Sequence, residues 1–233
     1  MDAKREAAQA AALASACKAA GVQHAAWSTL EDTRALAQPG ARMPALGPHG
    51  EYCVPHFDEK GAADARFRDA GVPTTFLRTS FFYENLLPGK FGMEPKRKAA
   101  GGPLVLSLPM AGAKLSCIAV RDIGACAAGC FLDREGTVDK TLSIAGDHLT
   151  GDELASIFSK VLRKEVVYEA ADPKEYRASG PGAADMANMF QFYVDFESQF
   201  VAARDLSVAR KLNPELQSFE AWLTAHADAF KDL

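Results

Sequence analysis

The sequence has no apolar run long enough to cross a membrane, and no basic flank feeds an apolar stretch near its start. Neither a membrane span nor a signal peptide is expected from these residues. Excess charge is small as well, with 26 Lys and Arg against 30 Asp and Glu and a formal net charge of -4. That argues against direct nucleic-acid binding through an overall basic field. The one basic cluster, Lys96-Arg97-Lys98, sits in a Pro/Gly/Ala-rich stretch and reads as a solvated loop. The five cysteines form no C-x-x-C pair and no Cys/His ligand spacing, so no metal site is expected. Cys126 and Cys130 are four apart on one helical face, where disulfide geometry is poor. They read as small packing residues in a reducing compartment. The cytoplasm is the default location, with the nucleus as the second compartment open to such a protein.

What is present is ordinary for a globular chain: 233 residues, 48% hydrophobic and 24% charged, enough for one large domain or two small ones. The elements alternate. Residues 3–20 are nearly all strong helix formers, with Gly21 as the stop. Residues 22–28 read as a short strand, and 33–55 as a loop punctuated by Pro39, Gly40, Pro44, Gly47, Pro48, Gly50 and Pro55. A helix over 57–69 closes at Gly71 and Pro73, and 74–78 is a buried strand leading into an aromatic turn. After a loop over 88–103 come strands at 104–108 and 114–120, a helix from Asp122, the expected cap, to Leu132, and a strand at 141–145. Thr150-Gly151-Asp152-Glu153 is a capping box for a helix running to Arg163. A strand at 166–168 and a mostly helical tail, broken at Asn213-Pro214 and ending in a helix over 219–230, complete the order. The fold class is α/β: a Rossmann-like parallel sheet, incomplete because no strand and glycine-rich turn lie upstream, with a mostly helical C-terminal portion. The expected division is 1–145 for the dinucleotide-binding part and 146–233 for a substrate or partner portion.

Several segments, in this order, resemble the NmrA-like family of atypical short-chain dehydrogenase/reductases. They are residues 27–32 (WSTLED), 56–61 (HFDEKG), 67–73 (FRDAGVP), 82–87 (FYENLL), 122–124 (DIG), 149–153 (LTGDE) and 181–193 (PGAADMANMFQFY). The last of these, with Leu212-Asn213-Pro214, draws the chain towards the subgroup proposed to sense the NADPH/NADP balance. The family opens with a strand and a G-x-x-G-x-x-G turn whose amides hold a pyrophosphate at a helix N-terminus. That turn is not found here, and Met1 falls where the family enters a helix inside its nucleotide domain. The resemblance thus implies an N-terminally incomplete chain with impaired cofactor binding.

The resemblance also assigns roles. The superfamily places a Tyr-x-x-x-Lys pair on one helical face beside the cofactor. Here His56 stands at the tyrosine position and Lys60 at the lysine position. Lys60 would hold ribose hydroxyls; His56 would be the proton donor if the protein is an enzyme. The residues alone also permit a surface charge cluster of Asp58, Glu59 and Lys60, and a helix-entry role for His56. Ser28 and Thr29 close the first strand where ligand-facing hydroxyls lie, or serve as caps. Phe82, Tyr83, Glu84 and Asn85 are implied to flank the nicotinamide, offering a stacking wall and polar groups for an amide; a core aromatic cluster is the other reading. Met189, Phe190, Phe192 and Tyr193 read as core.

NADP(H) is therefore the expected cofactor. The expected function is that of an NAD(P)-binding redox sensor acting on a regulatory protein partner. Two alternatives stand beside it: an NADPH-dependent oxidoreductase acting on a quinone or small aromatic, and a cofactor-free interaction module. Removing upstream strands would leave the strand at 22–28 with an open edge, so self-association, as a homodimer or otherwise, is expected.

Overall fold

The computed structural model describes residues 3–38, 40 and 42–233. Met1 and Pro39 lie outside the described residues. Helix α1 (Ala3–Ala19) is followed by strand β1 (Ala25–Thr29), helix α2 (Pro55–Ala70) and strand β2 (Thr74–Arg78). Strand β3 (Phe81–Phe82) runs into a short 3-10 turn over Tyr83–Leu86. Next come strands β4 (Lys96–Arg97), β5 (Leu104–Leu106) and β6 (Leu115–Ile118), then helices α3 (Val120–Leu132) and α4 (Arg134–Thr137). Strands β7 (Thr141–Ser143) and β8 (Asp147–Leu149), helix α5 (Gly151–Leu162) and strand β9 (Val166–Tyr168) follow. The tail is helical: α6 (Pro173–Ala178), α7 (Ala183–Asp195), α8 (Glu197–Ala203), α9 (Leu206–Leu212) and α10 (Phe219–Ala225).

The central sheet is parallel, in the order β1-β2-β7, with Ala25 opposite Thr74 and Thr29 opposite Arg78. Parallel strands are buried on both faces, and β2, buried from Thr74 through Leu77, shows how. Phe76 packs with Ala10, Ala14, Ala63 and Phe67 from α1 and α2. Leu77, one residue on, packs with Cys126 and Cys130 of α3 and Leu212 of α9. The alanine-rich face of α1 is thus a close-packing surface against α2. Gly129 of α3 lies so near α9 that a Cβ there would collide with the carbonyl of Leu212. Cys126 and Cys130 are buried free thiols, matching their reading as packing residues.

Two smaller sheets complete the strand set, β3-β6-β8 and β4-β5-β9. Strands β8 and β9 come from beyond residue 145 yet pair with β6 and β5 from before it. The largest core cluster likewise joins Leu30, Phe57 and Tyr83 to Phe158, Phe190, Trp222 and Phe230.

Three local readings change. Lys96 and Arg97 form an exposed edge strand against β5 rather than a loop, with Lys98 paired to Glu169. Lysine-rich edges resist further strand pairing, which accounts for the charge. Strand β8 carries too few residues to show alternation and escapes sequence reading. Asp122 does not cap α3: the N-cap is Ala119, and Asp122 instead accepts hydrogen bonds from Asn213 Nδ2 (3.0 Å) and the backbone N–H of Gln217 (3.0 Å).

Candidate functional site

Because β1 and β2 are parallel, their carboxyl ends lie together, where ligands of open α/β sheets bind. Ser28 is exposed there, while Thr29 is buried and donates through Oγ1 to the carbonyl of Lys60 (3.1 Å). Helix α2 can come this close because residue 61 is glycine; a Cβ at that position would collide with the backbone of Asp32. Lys60 Nζ meets Glu6 Oε1 of α1 at 2.8 Å, with its side chain one-third exposed at 33%. His56 lies in the first turn of α2, whose start falls at Pro55 rather than residue 57. Its Nδ1 is 2.7 Å from Asp185 Oδ1 of α7.

Asp58 is not part of a surface charge cluster. It is fully buried and its carboxylate collects four donors. Oδ1 accepts from the N–H (2.8 Å) and Oγ1 (2.5 Å) of Thr33, and Oδ2 from the N–H groups of Cys53 (2.9 Å) and Val54 (3.1 Å). Burial pushes its carboxyl above the usual aspartate range, opposed by these bonds. Asn188 anchors the same connection from α7, donating to Pro44 O (2.8 Å) and Cys53 O (2.7 Å). Pro44, Cys53 and Val54 are tied to the start of α2 and to α7 by these two side chains.

The aromatic turn is largely internal. Phe82 is half-buried against the α3-side cluster. Tyr83 is fully buried between Phe219 and Trp222; its hydroxyl points to Asp147 Oδ2 (3.4 Å), and burial drives its phenol far above the ordinary range. Glu84 caps α3, both carboxylate oxygens accepting from Val120 N–H (3.1 and 3.0 Å), and also accepts from Trp222 Nε1 (3.2 Å). Asn85 is half-buried and makes no side-chain hydrogen bond among the described residues. Ser80, just past β2, is buried with its Oγ unpartnered among the described residues.

Sequence reading missed Arg204. Its guanidinium is fully buried at the same strand ends. NH1 and NH2 donate to the two oxygens of Glu31 (2.8 and 2.9 Å), and Nε and NH2 donate to Thr79 O (3.1 and 2.8 Å). No local pattern betrays a pair 173 residues apart. No group of three or more metal-ligating side chains occurs among the described residues, and no helix among them is long and apolar enough to cross a membrane.

A parallel sheet covered by helices on both faces defines a Rossmann-type α/β protein. The sequence model of the NmrA-like family matches residues 2–223, and the chain belongs to that family. Solved structures agree on the fold. A doubly substituted mutant of NmrA superposes with a TM-score of 0.79 at 19% identity, over 97% of this chain and 71% of that one. NmrA described as a negative transcriptional regulator in complex with NADP gives 0.74 at 19% identity, over 97% and 71% of the two chains. Triphenylmethane reductase from Citrobacter sp., complexed with NADP(H), gives 0.68 at 20% identity, over 97% and 73%.

Proposed function

We propose that the chain binds an NAD(P) dinucleotide with its nicotinamide end across the carboxyl ends of β1 and β2, and works as a nucleotide-responsive regulatory protein. The observation that carries this reading is the shared carboxyl end of the parallel strands β1 and β2, beside a turn whose Asn85 amide has no partner among the described residues. That amide suits a carboxamide, with Lys60 and Phe82 as the remaining contacts, while Tyr83 and Glu84 are engaged inside the fold. NmrA, described as a transcriptional regulator, is seen with NAD and with NADP, which supports the same cofactor class here. A dinucleotide would supply hydride chemistry if a proton donor stood beside it. His56, its Nδ1 held by Asp185, stands there in place of a tyrosine donor, and the loss of that donor favours regulation over reduction.

The 233-residue chain carries no glycine-rich pyrophosphate turn, so its own affinity is expected to lie between micromolar and millimolar. Calorimetric titration with NADPH and NADP tests this. Saturable binding in that range that differs between the two forms is the expected result, since a sensor needs differential affinity. Absence of binding up to millimolar concentration would overturn the reading.

A further inference from the structure

We infer that Arg204 is the link through which a dinucleotide in the strand-end crevice is felt by the C-terminal helices α8 and α9. This rests on the reading that the crevice takes a dinucleotide. An arginine needed only to neutralise Glu31 would be satisfied by that carboxylate. Arg204 does more: two of its nitrogens hold Thr79 O, the carbonyl immediately before Ser80. The backbone of the ligand-facing turn is therefore hung from a side chain of the C-terminal portion.

The other end of Arg204 is equally constrained. It is the C-cap residue of α8, immediately before the α9 cap Asp205. Its guanidinium carbon lies 3.4 Å from the ring centroid of Phe200, and its own carbonyl accepts from His148 Nε2 (2.9 Å). Helix α9 then packs on α3 at the Gly129–Leu212 approach, which leaves no slack. A ligand at the strand ends that shifts or stiffens residues 79–85 acts on the Thr79–Arg204 bonds, and through them on the joint between α8 and α9. Fully buried, bidentate arginine bonds suit this task because they are directional and hold two segments in one register.

Hydrogen exchange of the full chain with and without NADPH, across micromolar to millimolar concentrations, tests the link. In the wild type, peptides covering residues 196–212 should become more protected with NADPH, together with those covering 79–85. Removing Arg204 alone would strand a buried carboxylate, so the test uses the paired variant Glu31→Met with Arg204→Met. Apolar replacement of a whole buried ion pair is often tolerated. Glu31→Gln, isosteric and still accepting from the guanidinium, is the second variant should the first fail to fold. The expected result is NADPH binding with the protection at 196–212 lost in the paired variant and diminished in Glu31→Gln. Wild-type binding without any change at 196–212, or a folded variant that keeps the full change, would overturn this inference and leave the cofactor reading standing. Absence of NADPH binding by the wild type would instead remove the cofactor reading, and this inference with it.

Discussion

Lys60 Nζ and Glu6 Oε1 stand 2.8 Å apart, so the first helix holds the lysine that would meet the ribose. Lys60→Ala should weaken dinucleotide binding by about 1.5–3 kcal/mol, the usual contribution of a hydrogen bond to a charged group. Folding stability should hardly change, because a partly exposed ion pair contributes little. Titration of the variant beside the wild type checks both halves, and unaltered affinity would return Lys60 to a surface role.

The His56–Asp185 contact bears on catalysis. No appreciable NADPH oxidation is expected across a panel of quinones and aldehydes. Turnover that is robust in the wild type and abolished in His56→Ala would make the protein a reductase.

His24 and His148 set a pH dependence. His24 Nε2 meets Thr75 Oγ1 (2.8 Å), whose proton is already given to Thr137 O, so Nε2 donates and the buried Nδ1 is left unpartnered among the described residues. His148 Nε2 donates to Arg204 O, so its Nδ1 accepts from Ser116. Burial, joined for His24 by the charge of Arg134, lowers both from the ordinary 6.5. Above that value both states are neutral and stability is full. As pH falls below it the unfolded chain takes up protons first, so stability drops until the folded-state values are passed. Urea midpoints between pH 7.5 and 5 should fall, and His24→Gln with His148→Gln should flatten the curve.

Asp58 accepts from four donors, which only an acceptor-only carboxylate can do. Asp58→Asn turns an NH2 group against N–H donors and should cost about 2–4 kcal/mol of stability. Denaturant unfolding measures this; a loss within error would mean the segment from Pro44 to Cys53 is held by Asn188 alone.

Strand β1 presents an uncharged edge. In a parallel ladder alternate residues face opposite neighbours. Since Ala25 N–H bonds Pro73 O, Ala26 and Ser28 turn outward, with no strand beyond them among the described residues. The β4 edge, by contrast, carries Lys96 and Arg97. Concentration-dependent self-association is expected, with fast amide exchange at Ala26 and Ser28, and Ser28→Lys should reduce it. A strictly monomeric protein with a strongly protected β1 would refute this.

Local features were legible in the sequence. Thr150 and Glu153 cap α5 reciprocally, and β2 spans residues 74–78 as its sequence predicts. The family was legible as well, since its segments keep their order. Tertiary roles were not. Asp58 resembles any charge in a first helical turn until Thr33 and Cys53 close around it. Glu84 lies in a turn whose sequence reads as aromatic, yet it caps a helix 36 residues on. Arg204 looks like one more basic residue in a mixed tail. In each case the partner is fixed by how strands are ordered in space, which local pattern does not encode.

The reach of the main core from Leu30 to Phe230 bears on how the chain folds as it is made. Tyr83 has its aromatic neighbours at Phe219 and Trp222, and the strand-end carboxylate Glu31 meets its counter-charge only at Arg204. While these residues are still inside the ribosome, the aromatic turn lacks its cover and Glu31 lacks a partner. Folding of the aromatic turn into its core should therefore be late in synthesis, with chaperones as the expected guardians of a nascent chain that exposes it. Translation arrest at successive lengths would show native compaction only once Phe230 has emerged.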